Sequence, residues 1–339
     1  MQKKSVWQRA DFLLLLLVFS LAGLLTLRFG SDVEGLTVRE VEPAGELLHQ
    51  EGAPVADYLP KPPEAGEPVR FLMYNVQNYF VAGEKSRSRY MCRPKSVRSR
   101  EAVADVIATA APEIVGLIEI GGELALADLQ KRLAERGLRY PHAMVLEREG
   151  EDRALALLSM HPVIRDFSQA NYPLYGQKRR KMLRGILDVT VQLPDGRYFR
   201  VMGAHLKSRV AQDAAAANNL RSREARTLAF YLHEQVQRAP EVPIVLFGDW
   251  NDGPEDASLG VLTHGLSRQS SMSRLEPLDD RGHAWTIYFK AGSEYLVFDQ
   301  IYVNPILKRR RGRHSQCGIV DIDAASTASD HRAIWCELR

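Results

Sequence analysis

The chain has 339 residues, of which 45% are hydrophobic and 26% are charged, and its formal net charge is +3. This composition is typical of a folded soluble protein, and the length allows one large domain or two small ones. Three cysteines are too few for a disulfide scaffold and lack the spacing of a metal site, although Cys317 and Cys336 could form one bridge. No Gly-rich phosphate loop, internal repeat or heptad pattern is visible, which argues against a P-loop enzyme, a repeat protein or a coiled coil.

The charge is distributed unevenly along the chain. Residues 1–30 carry a net charge of +3, and residues 31–67 carry nine acidic and two basic residues, a net charge of −7. The remainder, residues 68–339, therefore carries about +7. A basic folded part behind an acidic segment suggests an anionic partner.

The N-terminal segment, residues 1–30, begins with basic residues and continues with sixteen uncharged ones, from Phe12 to Leu27. As a helix this run would be roughly 24 Å long, against ~30 Å for the hydrocarbon core of a bilayer. It could be an uncleaved signal anchor, or a signal peptide cut after the small residues Ser20 and Ala22. That cut would fall inside the apolar run, which favours the anchor. Both interpretations predict an extracytoplasmic protein, membrane-anchored in the first case and secreted or periplasmic in the second.

Residues 31–67 are rich in Glu, Pro and Gly and show no sustained apolar period, which is typical of a linker. A coil of this length would span roughly 35 Å, enough to hold a domain just off a membrane. We therefore predict an acidic linker over 31–67 and a catalytic domain over 68–339.

From Val69 onward, short apolar strands alternate with amphipathic helices. Strands are predicted at "VRFLMYNV", "EIVGLIEI", "HAMVLE", "RALALLSM", "PIVLFGD", "AWTIYF", "FDQIYV" and "HRAIWCEL", and helices at "SVRSREAVADVIATAAP", "LALADLQKRLAERG" and "LRSREARTLAFYLHEQVQ". Residues 186–206 form a predicted hairpin around Pro194, Asp195 and Gly196. Hairpins mixed with helical crossovers predict an α/β domain in which helices cover mixed sheets.

Six of the predicted strand ends carry polar or ionisable residues that a protein core does not favour. Each has an ordinary explanation alone, because an Asn can bond a turn, a Glu can pair with a buried Arg, and a His can be satisfied inside a core. Together they favour one shared site. The residues are Asn75, Glu119, His205, Asp249, Asn251, Asp299, Asp330 and His331.

The chemistry that fits these residue types is hydrolysis of a phosphate ester assisted by a hard divalent cation. Mg²⁺ prefers carboxylate, amide and water oxygens, which Glu119, Asp330 and Asn75 offer. Histidines supply proton transfer and, when protonated, positive charge for a phosphate. A carboxylate such as Asp299 would orient His331 and raise its pKa. Zinc is disfavoured because the chain has neither an HExxH motif nor a cysteine pair at ligand spacing.

The ordered set "MYNVQN", "GLIEI", "GAHLKS", "GDWND", "FDQIYV" and "SDH" resembles the endonuclease/exonuclease/phosphatase superfamily over about residues 69–339. That superfamily includes pancreatic-type deoxyribonucleases, abasic-site repair endonucleases, inositol polyphosphate 5-phosphatases and bacterial sphingomyelinases. The resemblance implies a four-layer α/β sandwich of two packed mixed sheets flanked by helices. In this chain an N-terminal hydrophobic helix and a linker would precede it.

The resemblance also implies the role of each residue. Glu119 would be the main ligand of Mg²⁺ or Mn²⁺, helped by Asn75 and Asp330, while His205 and Asn251 would contact the scissile phosphate. The remaining roles are as follows: Asp249 orients or deprotonates the attacking water, His331 stabilises the phosphorane or protonates the leaving oxygen, Asp299 orients His331, Arg184 contacts phosphate, and Asp152 supports His205. Whether the Asp or a His is the base stays open.

The substrate is less sharply indicated. Three basic clusters, within residues 84–100, 177–184 and 307–314, favour a nucleic acid if they lie on the face of the site. A membrane tether would suit a lipid-headgroup phosphodiesterase of the sphingomyelinase type, although no exposed aromatic hairpin is visible in the sequence. A sugar-phosphate phosphatase is a further candidate, and so is a catalytically inactive binding module. No protein partner is predicted.

Overall fold

The computed structural model describes residues 66–88, 93–290, 292–312 and 315–339. The predicted N-terminal helix, within residues 1–30, lies outside the described residues, and so does nearly all of the predicted linker. In the ranges that are described, no helix has the length and apolar character needed to cross a membrane.

The described ranges contain the strands and helices that the alternating pattern predicts, together with several short strands. In chain order they are β1 (Val69–Tyr79), α1 (Val97–Ala110), β2 (Ile114–Ile120), α2 (Glu123–Glu135), β3 (His142–Arg148), β4 (Glu151–Ser159), β5 (Val163–Asp166), β6 (Pro173–Leu174), β7 (Gln177–Lys181), β8 (Leu187–Gln192), β9 (Tyr198–His205), α3 (Ala214–Arg238), β10 (Ile244–Asp249), α4 (Ala257–His264), β11 (Ser273–Arg274), β12 (Ile287–Phe289), β13 (Glu294–Leu296), β14 (Asp299–Val303), α5 (Pro305–Arg311), β15 (Cys317–Ile319), α6 (Ala325–Ala328) and β16 (Ile334–Leu338).

Most of these strands form two six-stranded sheets. The first sheet has the order β15-β16-β1-β2-β4-β3, and the second has the order β11-β14-β10-β9-β8-β5. Each contains one parallel pair, β1–β2 in the first and β9–β10 in the second, and its other pairs are antiparallel. Helix α1 connects the first parallel pair and α3 connects the second, as parallel neighbours require a crossover.

Three apolar layers hold the domain together. Side chains such as Phe71 and Phe247 fill the space between the sheets. On the outer face of the first sheet, α1 packs through residues such as Val106, and on the outer face of the second sheet α3 packs through residues such as Leu228. Two packed mixed sheets flanked by helices are therefore confirmed, because each sheet buries one face against its partner and the other against helices.

Local capping signals explain where the two crossover helices begin. The Ser96 hydroxyl accepts a hydrogen bond from the backbone N–H of Ser99 at 3.1 Å and caps α1. The Asp213 carboxylate accepts from the backbone N–H of Ala216 at 2.9 Å and caps α3. Helix α3 therefore starts at Ala214, earlier than the periodic apolar residues indicate, because the Asp cap and the alanines after it favour a helical turn.

One aromatic ring sets the spacing between the two sheets. Phe247 lies where β2 and β9 have glycine: a Cβ atom added at Gly116 would fall 2.6 Å from the Phe247 ring, and one added at Gly203 would fall 2.5 Å from it. Only glycine leaves room for the ring at these two positions. We refer to these three residues as the Phe247 contact.

Two small ribbons stand apart from the main sheets, β6–β7 and β12–β13. The predicted strand "AWTIYF" forms only half of the second ribbon, because β12 pairs with β13 and not with a main sheet. At the other end of the chain, Cys317 and Cys336 are direct partners in the β15–β16 register, and both are free thiols.

Candidate active site

The carboxyl ends of the two parallel strand pairs meet at one edge of the sandwich. Asn75 lies in β1 and Glu119 in β2, while His205 ends β9 and Asp249 ends β10. Asp299 opens the antiparallel strand β14 opposite Asp249, so it reaches the same edge. The fold thus brings together groups that are far apart in the chain: Asn75 and Asp299 are separated by 224 positions.

The backbone at this edge is unusual. Gln77, Asn78, Glu119 and Asn251 adopt positive φ angles of 45°, 52°, 64° and 51°. Residues other than glycine seldom adopt this region, and such strain concentrates at functional sites, where the surrounding contacts maintain it. One such contact is the Asn78 backbone N–H, which donates to Glu119 Oε2 at 3.1 Å. The strained turns hold the side chains of both sheets toward the shared edge.

Asp249 lies at the centre of the site and is 2% exposed. Its Oδ2 accepts a hydrogen bond from Asn75 Nδ2 at 2.9 Å, and its Oδ1 accepts from the Asn251 backbone N–H at 3.0 Å. His205 Nε2 lies 3.5 Å from the same Oδ2. Burial raises the pKa of Asp249 to about 7; the nearby His331 opposes this shift, and the carboxylates of Asp299 and Glu119 add to it. Asp249 can therefore exchange a proton near neutral pH.

His331 and Asp299 form a buried dyad. His331 Nδ1 donates to Asp299 Oδ2 at 2.7 Å. Burial alone would lower the pKa of His331, but the Asp299 carboxylate, with Asp249 and Asp330 farther away, raises it to about 10. The other ring nitrogen, Nε2, lies 3.9 Å from both Asp249 and Asp330, beyond hydrogen-bond length. The imidazolium is thus oriented by Asp299 and presents Nε2 to a substrate.

His205 has the opposite electrostatic setting. Burial holds the pKa of His205 well below its usual value, and the positive charge of Arg184 lowers it further. Its Nδ1 is buried and has no hydrogen-bond partner among the described residues. The predicted support from Asp152 is not seen at that atom, because the Asp152 carboxylate accepts from Ser86 Oγ at 2.9 Å and from the Ser88 N–H at 3.1 Å. Asp152 anchors the loop between β1 and α1.

Arg184, the residue predicted to contact phosphate, lies close enough to His205 for its charge to lower the pKa of that imidazole. Its Nη1 donates to the Leu206 carbonyl at 3.1 Å, and its Nε lies 3.1 Å from Glu151 Oε2. Asn251 Nδ2 donates to the same Leu206 carbonyl at 3.2 Å. Arg184 is 8% exposed. A single backbone carbonyl therefore holds Arg184 and Asn251 on the same side of the site.

Two basic residues at the site were not predicted from the sequence. Arg153 Nε lies 3.5 Å from Glu119 Oε2 and donates to Asn78 Oδ1 at 2.8 Å. Lys95 Nζ donates to the Gln77 carbonyl at 2.9 Å. Burial lowers the pKa of Lys95, and the charges of Asp330 and Glu119 counter that shift. Both residues occur inside charged stretches of sequence, which give no indication that they turn inward.

The donor set fits a divalent cation. Among the described residues, Asp249, Asp299 and His331 place ligand atoms within 4.8 Å of one another. In that group the dyad hydrogen bond already uses His331 Nδ1 and Asp299 Oδ2, but the buried Asp299 Oδ1 has no partner within the described ranges. Glu119 adds a further carboxylate, with Oε1 3.9 Å from His205 Nε2. Buried carboxylates packed this closely favour a compensating cation.

The three predicted metal ligands lie around this acidic centre. Among the described residues, the Asn75 side-chain oxygen accepts only the Gln77 N–H, at 3.0 Å, which leaves a lone pair for a cation. The Asp330 carboxylate is 36% exposed and opens toward solvent beside His331. The Glu119 side chain, at the end of β2, is 16% exposed. All three residues could therefore contact an ion that enters from solvent.

Comparison with known proteins identifies the family. The sequence matches the Endonuclease/Exonuclease/phosphatase family over residues 74–331. The chain belongs to that family. The endonuclease/exonuclease/phosphatase fold predicted from the ordered motifs is thereby confirmed, and members of the family are in general hydrolases of phosphate esters. No curated protein sequence matches the chain.

Solved structures share the family's fold at low sequence identity. An endonuclease/exonuclease/phosphatase from Bacteroides vulgatus has a TM-score of 0.57 at 15% identity, covering 81% of this chain and 99% of that one. Beta toxin 275-280 from Staphylococcus aureus has a TM-score of 0.56 at 14% identity, with coverages of 79% and 99%. The human Nocturnin catalytic domain with bound sulfate anion has a TM-score of 0.52 at 16% identity, with coverages of 80% and 94%. These likenesses concern the fold alone.

Proposed function

We propose that this protein is a divalent-metal-dependent phosphodiesterase, and specifically an extracytoplasmic nuclease. The observation that carries the catalytic proposal is that a protonated acid, His331, and a carboxylate that can act as a base, Asp249, lie at the same edge of the sandwich. His331 is held protonated by Asp299, which raises its pKa to about 10, while Asp249, with a pKa of about 7, titrates near neutral pH. A positioned acid and a positioned base are what hydrolysis of a phosphate ester requires.

Glu119, Asn75 and Asp330 would hold Mg²⁺ or Mn²⁺, which supplies charge to polarise the phosphate when bound. His205 and Asn251 would contact the phosphate oxygens; a neutral His205 can donate one hydrogen bond without repelling Arg184. Asp249 would orient and deprotonate the attacking water. His331 Nε2 would donate a proton to the leaving oxygen or stabilise the charge of the phosphorane. We assign the base to Asp249 because the pKa of His331 is too high for that role near neutral pH.

A nucleic acid is the substrate class that the basic residues favour. Strand β7 exposes Lys178, Arg179 and Arg180, and the chain leads from it directly to Arg184 beside His205. A row of exposed cations that ends at the phosphate site is suited to a polyanion longer than one phosphate. The second basic cluster therefore supports the nuclease proposal.

The other two basic clusters contribute less. In the first cluster, Arg87 is paired with Glu147 at 3.0 Å and Arg100 with Asp128 at 2.6 Å. The basic residues 308–311 of the third cluster lie on α5, at the far end of the second sheet. Asn304 precedes α5, and its N–H donates to the carbonyl of Ile244, the residue that opens β10 and is farthest from Asp249. The proposed substrate track therefore uses the second cluster and Lys95 of the first, and not the third.

A lipid-headgroup phosphodiesterase is the second candidate. From the sequence we expected no exposed aromatic hairpin, and that expectation was wrong. Ribbon β12–β13 presents Tyr288 and Tyr295, which are 39% and 64% exposed. Residues 1–30 would hold such an enzyme, or a nuclease, at a membrane or direct it out of the cytoplasm.

The test is hydrolysis by the full-length chain of four substrates in parallel: plasmid DNA, single-stranded RNA, sphingomyelin vesicles and a phosphomonoester. Each is assayed with Mg²⁺, Mn²⁺ or EDTA, and with His331→Ala as the blank. Metal-dependent cleavage of a nucleic acid, absent from the blank, is the expected result. Turnover of the lipid or the monoester alone would overturn the nuclease proposal and leave the catalytic one in place. The absence of turnover on all four substrates would support an inactive binding module.

A further inference from the structure

A cluster of aromatic side chains extends outward from the dyad. The rings of Trp285 and Tyr295 have centroids 4.9 Å apart, and those of Tyr295 and Tyr288 are 5.0 Å apart. Tyr288 and Tyr295 are direct partners in the β12–β13 register. We call these three residues the aromatic ledge. The two tyrosines are among the exposed large apolar side chains of the described residues.

The aromatic ledge is fixed rigidly to the dyad. Ile287 forms an antiparallel bridge with His331, and the Thr286 carbonyl accepts from the Arg332 backbone N–H at 2.7 Å. The Thr286 hydroxyl accepts from the Asp299 backbone N–H at 3.0 Å. At ~3.3 Å per strand residue, Trp285 lies roughly 7 Å along the chain from the residue opposite His331. A group attached directly to a phosphate at the site can reach the ledge.

We propose that the aromatic ledge stacks an unpaired base next to the scissile phosphate, so that the preferred substrate is single-stranded nucleic acid. This inference rests on the proposed nuclease function. Flat aromatic side chains with exposed faces stack bases of any sequence, whereas a base inside a duplex has its faces covered. Arg184, which follows β7 in the chain, contacts the Leu206 carbonyl just after β9, whereas Thr286, just before β12, contacts Asp299 at the start of β14. The substrate strand would therefore run from the cations, across the dyad, to the ledge.

Arg332 covers one face of the Trp285 ring, the position that a cationic lipid headgroup would need. The Arg332 guanidinium lies 4.2 Å from the centroid of the Trp285 ring, so that ring already receives a cation. Arg332 is held there by Asp279, whose Oδ2 accepts from Nη2 at 2.8 Å. A quaternary ammonium group therefore cannot occupy that face of Trp285, and the exposed rings of Tyr288 and Tyr295 are the ones left for stacking.

The turn of the ribbon also argues against insertion into a bilayer. It carries Lys290, Ser293 and Glu294, so that its end is polar. The aromatic rings lie together on the side of the ribbon that carries Trp285, not at its tip. A hairpin that inserts into the membrane interface needs its apolar residues at its tip. A side face of rings next to a catalytic dyad is better suited to stacking.

The test pairs a change in the protein with a change in the substrate. Steady-state cleavage by the full-length chain is measured on a single-stranded oligonucleotide, on its duplex, and on an equally long strand of base-free sugar phosphates. The variants are Tyr295→Ala and Tyr288→Ala, with Tyr295→Phe as the matched control that keeps the ring. We expect each alanine to raise KM for the base-bearing single strand roughly 5- to 150-fold. We expect no change on the base-free strand and wild-type behaviour from Tyr295→Phe.

The outcomes separate this inference from the function on which it rests. If the wild type cleaves none of the three substrates, the nuclease proposal fails. If it cleaves them and the alanine variants lose nothing, or lose equally on the base-free strand, the ledge does not stack bases. Sedimentation with sphingomyelin–phosphatidylcholine vesicles adds a second arm. Vesicle binding that is lost in Tyr295→Ala, with unchanged KM for the single strand, would assign the ledge to a lipid surface and overturn the inference.

Discussion

His331 Nδ1–H donates a hydrogen bond to Asp299 Oδ2 at 2.7 Å. Both side chains are buried at the start of β14, next to Thr286. This contact fixes the tautomer and direction of the imidazole, so that Nε2 can face a leaving group. Asp299→Asn should therefore lower kcat by roughly 10²- to 10⁴-fold, because the His would lose both its orientation and its charge. Asp166→Asn, an exposed change on β5, is the control. Unchanged kcat in Asp299→Asn would remove the dyad from the mechanism.

Activity should follow a bell-shaped dependence on pH. A base must be ionised, so kcat/KM should rise through the pKa of Asp249, about 7 before metal binds. An acid must be protonated, so kcat/KM should fall through the pKa of His331, about 10. A bound divalent cation favours the ionised carboxylate, so raising Mg²⁺ from limiting to saturating should move the lower limb to lower pH. If the position of the lower limb of the kcat/KM profile does not change with Mg²⁺ concentration, Asp249 is not the base.

Stability of the metal-free protein should fall as pH rises. The folded-state pKa values of Asp249 and His331, about 7 and about 10, both exceed the ordinary values of 3.8 and 6.5. At these two groups the folded state binds more protons than the unfolded one, so they lower the free energy of unfolding across about pH 4–7 for Asp249 and about pH 6.5–10 for His331. The depressed pKa of His205 acts in the opposite direction as pH rises toward 6.5. Urea unfolding in EDTA at about pH 6 and about pH 9 measures the difference. We expect Mg²⁺ to reduce it, and a rise in stability with pH would contradict the assignment.

Removal of the Glu119 carboxylate should weaken metal binding without unfolding the domain. Glu119→Gln keeps the shape of the side chain and its contact with the Asn78 N–H, but it loses the charge that attracts a cation. We expect Mg²⁺ affinity to fall at least about tenfold, measured as the loss of the Mg²⁺-dependent rise in Tm. Glu123→Gln, at the first turn of α2, is the matched control. A full thermal response to Mg²⁺ in Glu119→Gln would place the ion elsewhere.

The Phe247 contact should affect activity because it lies in the core close to Glu119 and Asp249. A Cβ atom at Gly116 would lie 2.6 Å from the ring, so Gly116→Ala should destabilise the domain by about 1–3 kcal/mol through overpacking. It should also lower kcat, since Gly116 lies three residues before Glu119 and Phe247 two residues before Asp249. Phe247→Leu, added to Gly116→Ala, should recover part of both losses. Two independent, additive effects would show that the ring does not set the spacing of the sheets.

The fold and the central residues could be predicted from the sequence because both depend on local patterns. An apolar run that ends in a polar residue marks a buried strand: His205 and Asp249 end theirs and Glu119 lies one residue before the end of β2, whereas β1 continues past Asn75 to Tyr79. Parallel pairing then forces such tips to one edge. The motifs in their order along the chain indicated the family, which no single motif identifies.

What the sequence could not show depends on contacts between distant loops. Tyr288 and Tyr295 face each other only in a hairpin register that a short, irregular stretch does not reveal. Asp152 is a residue of the type expected to support His205, but its carboxylate accepts hydrogen bonds from the loop at residues 86–88 instead. Lys95 and Arg153 look like surface charges until the strained turn at residues 77–78 draws them inward.

The pairing of the two ends of the domain has a consequence for when activity can arise. Val69 opens β1 opposite Leu338, so the first strand of the domain is completed by the last one, and His331 lies just before that last strand. Glu119 comes from the first sheet and Asp249 from the second. A nascent chain thus has no assembled candidate site until its last strand has paired with β1. The proposed activity therefore requires both ends of the domain to be in place.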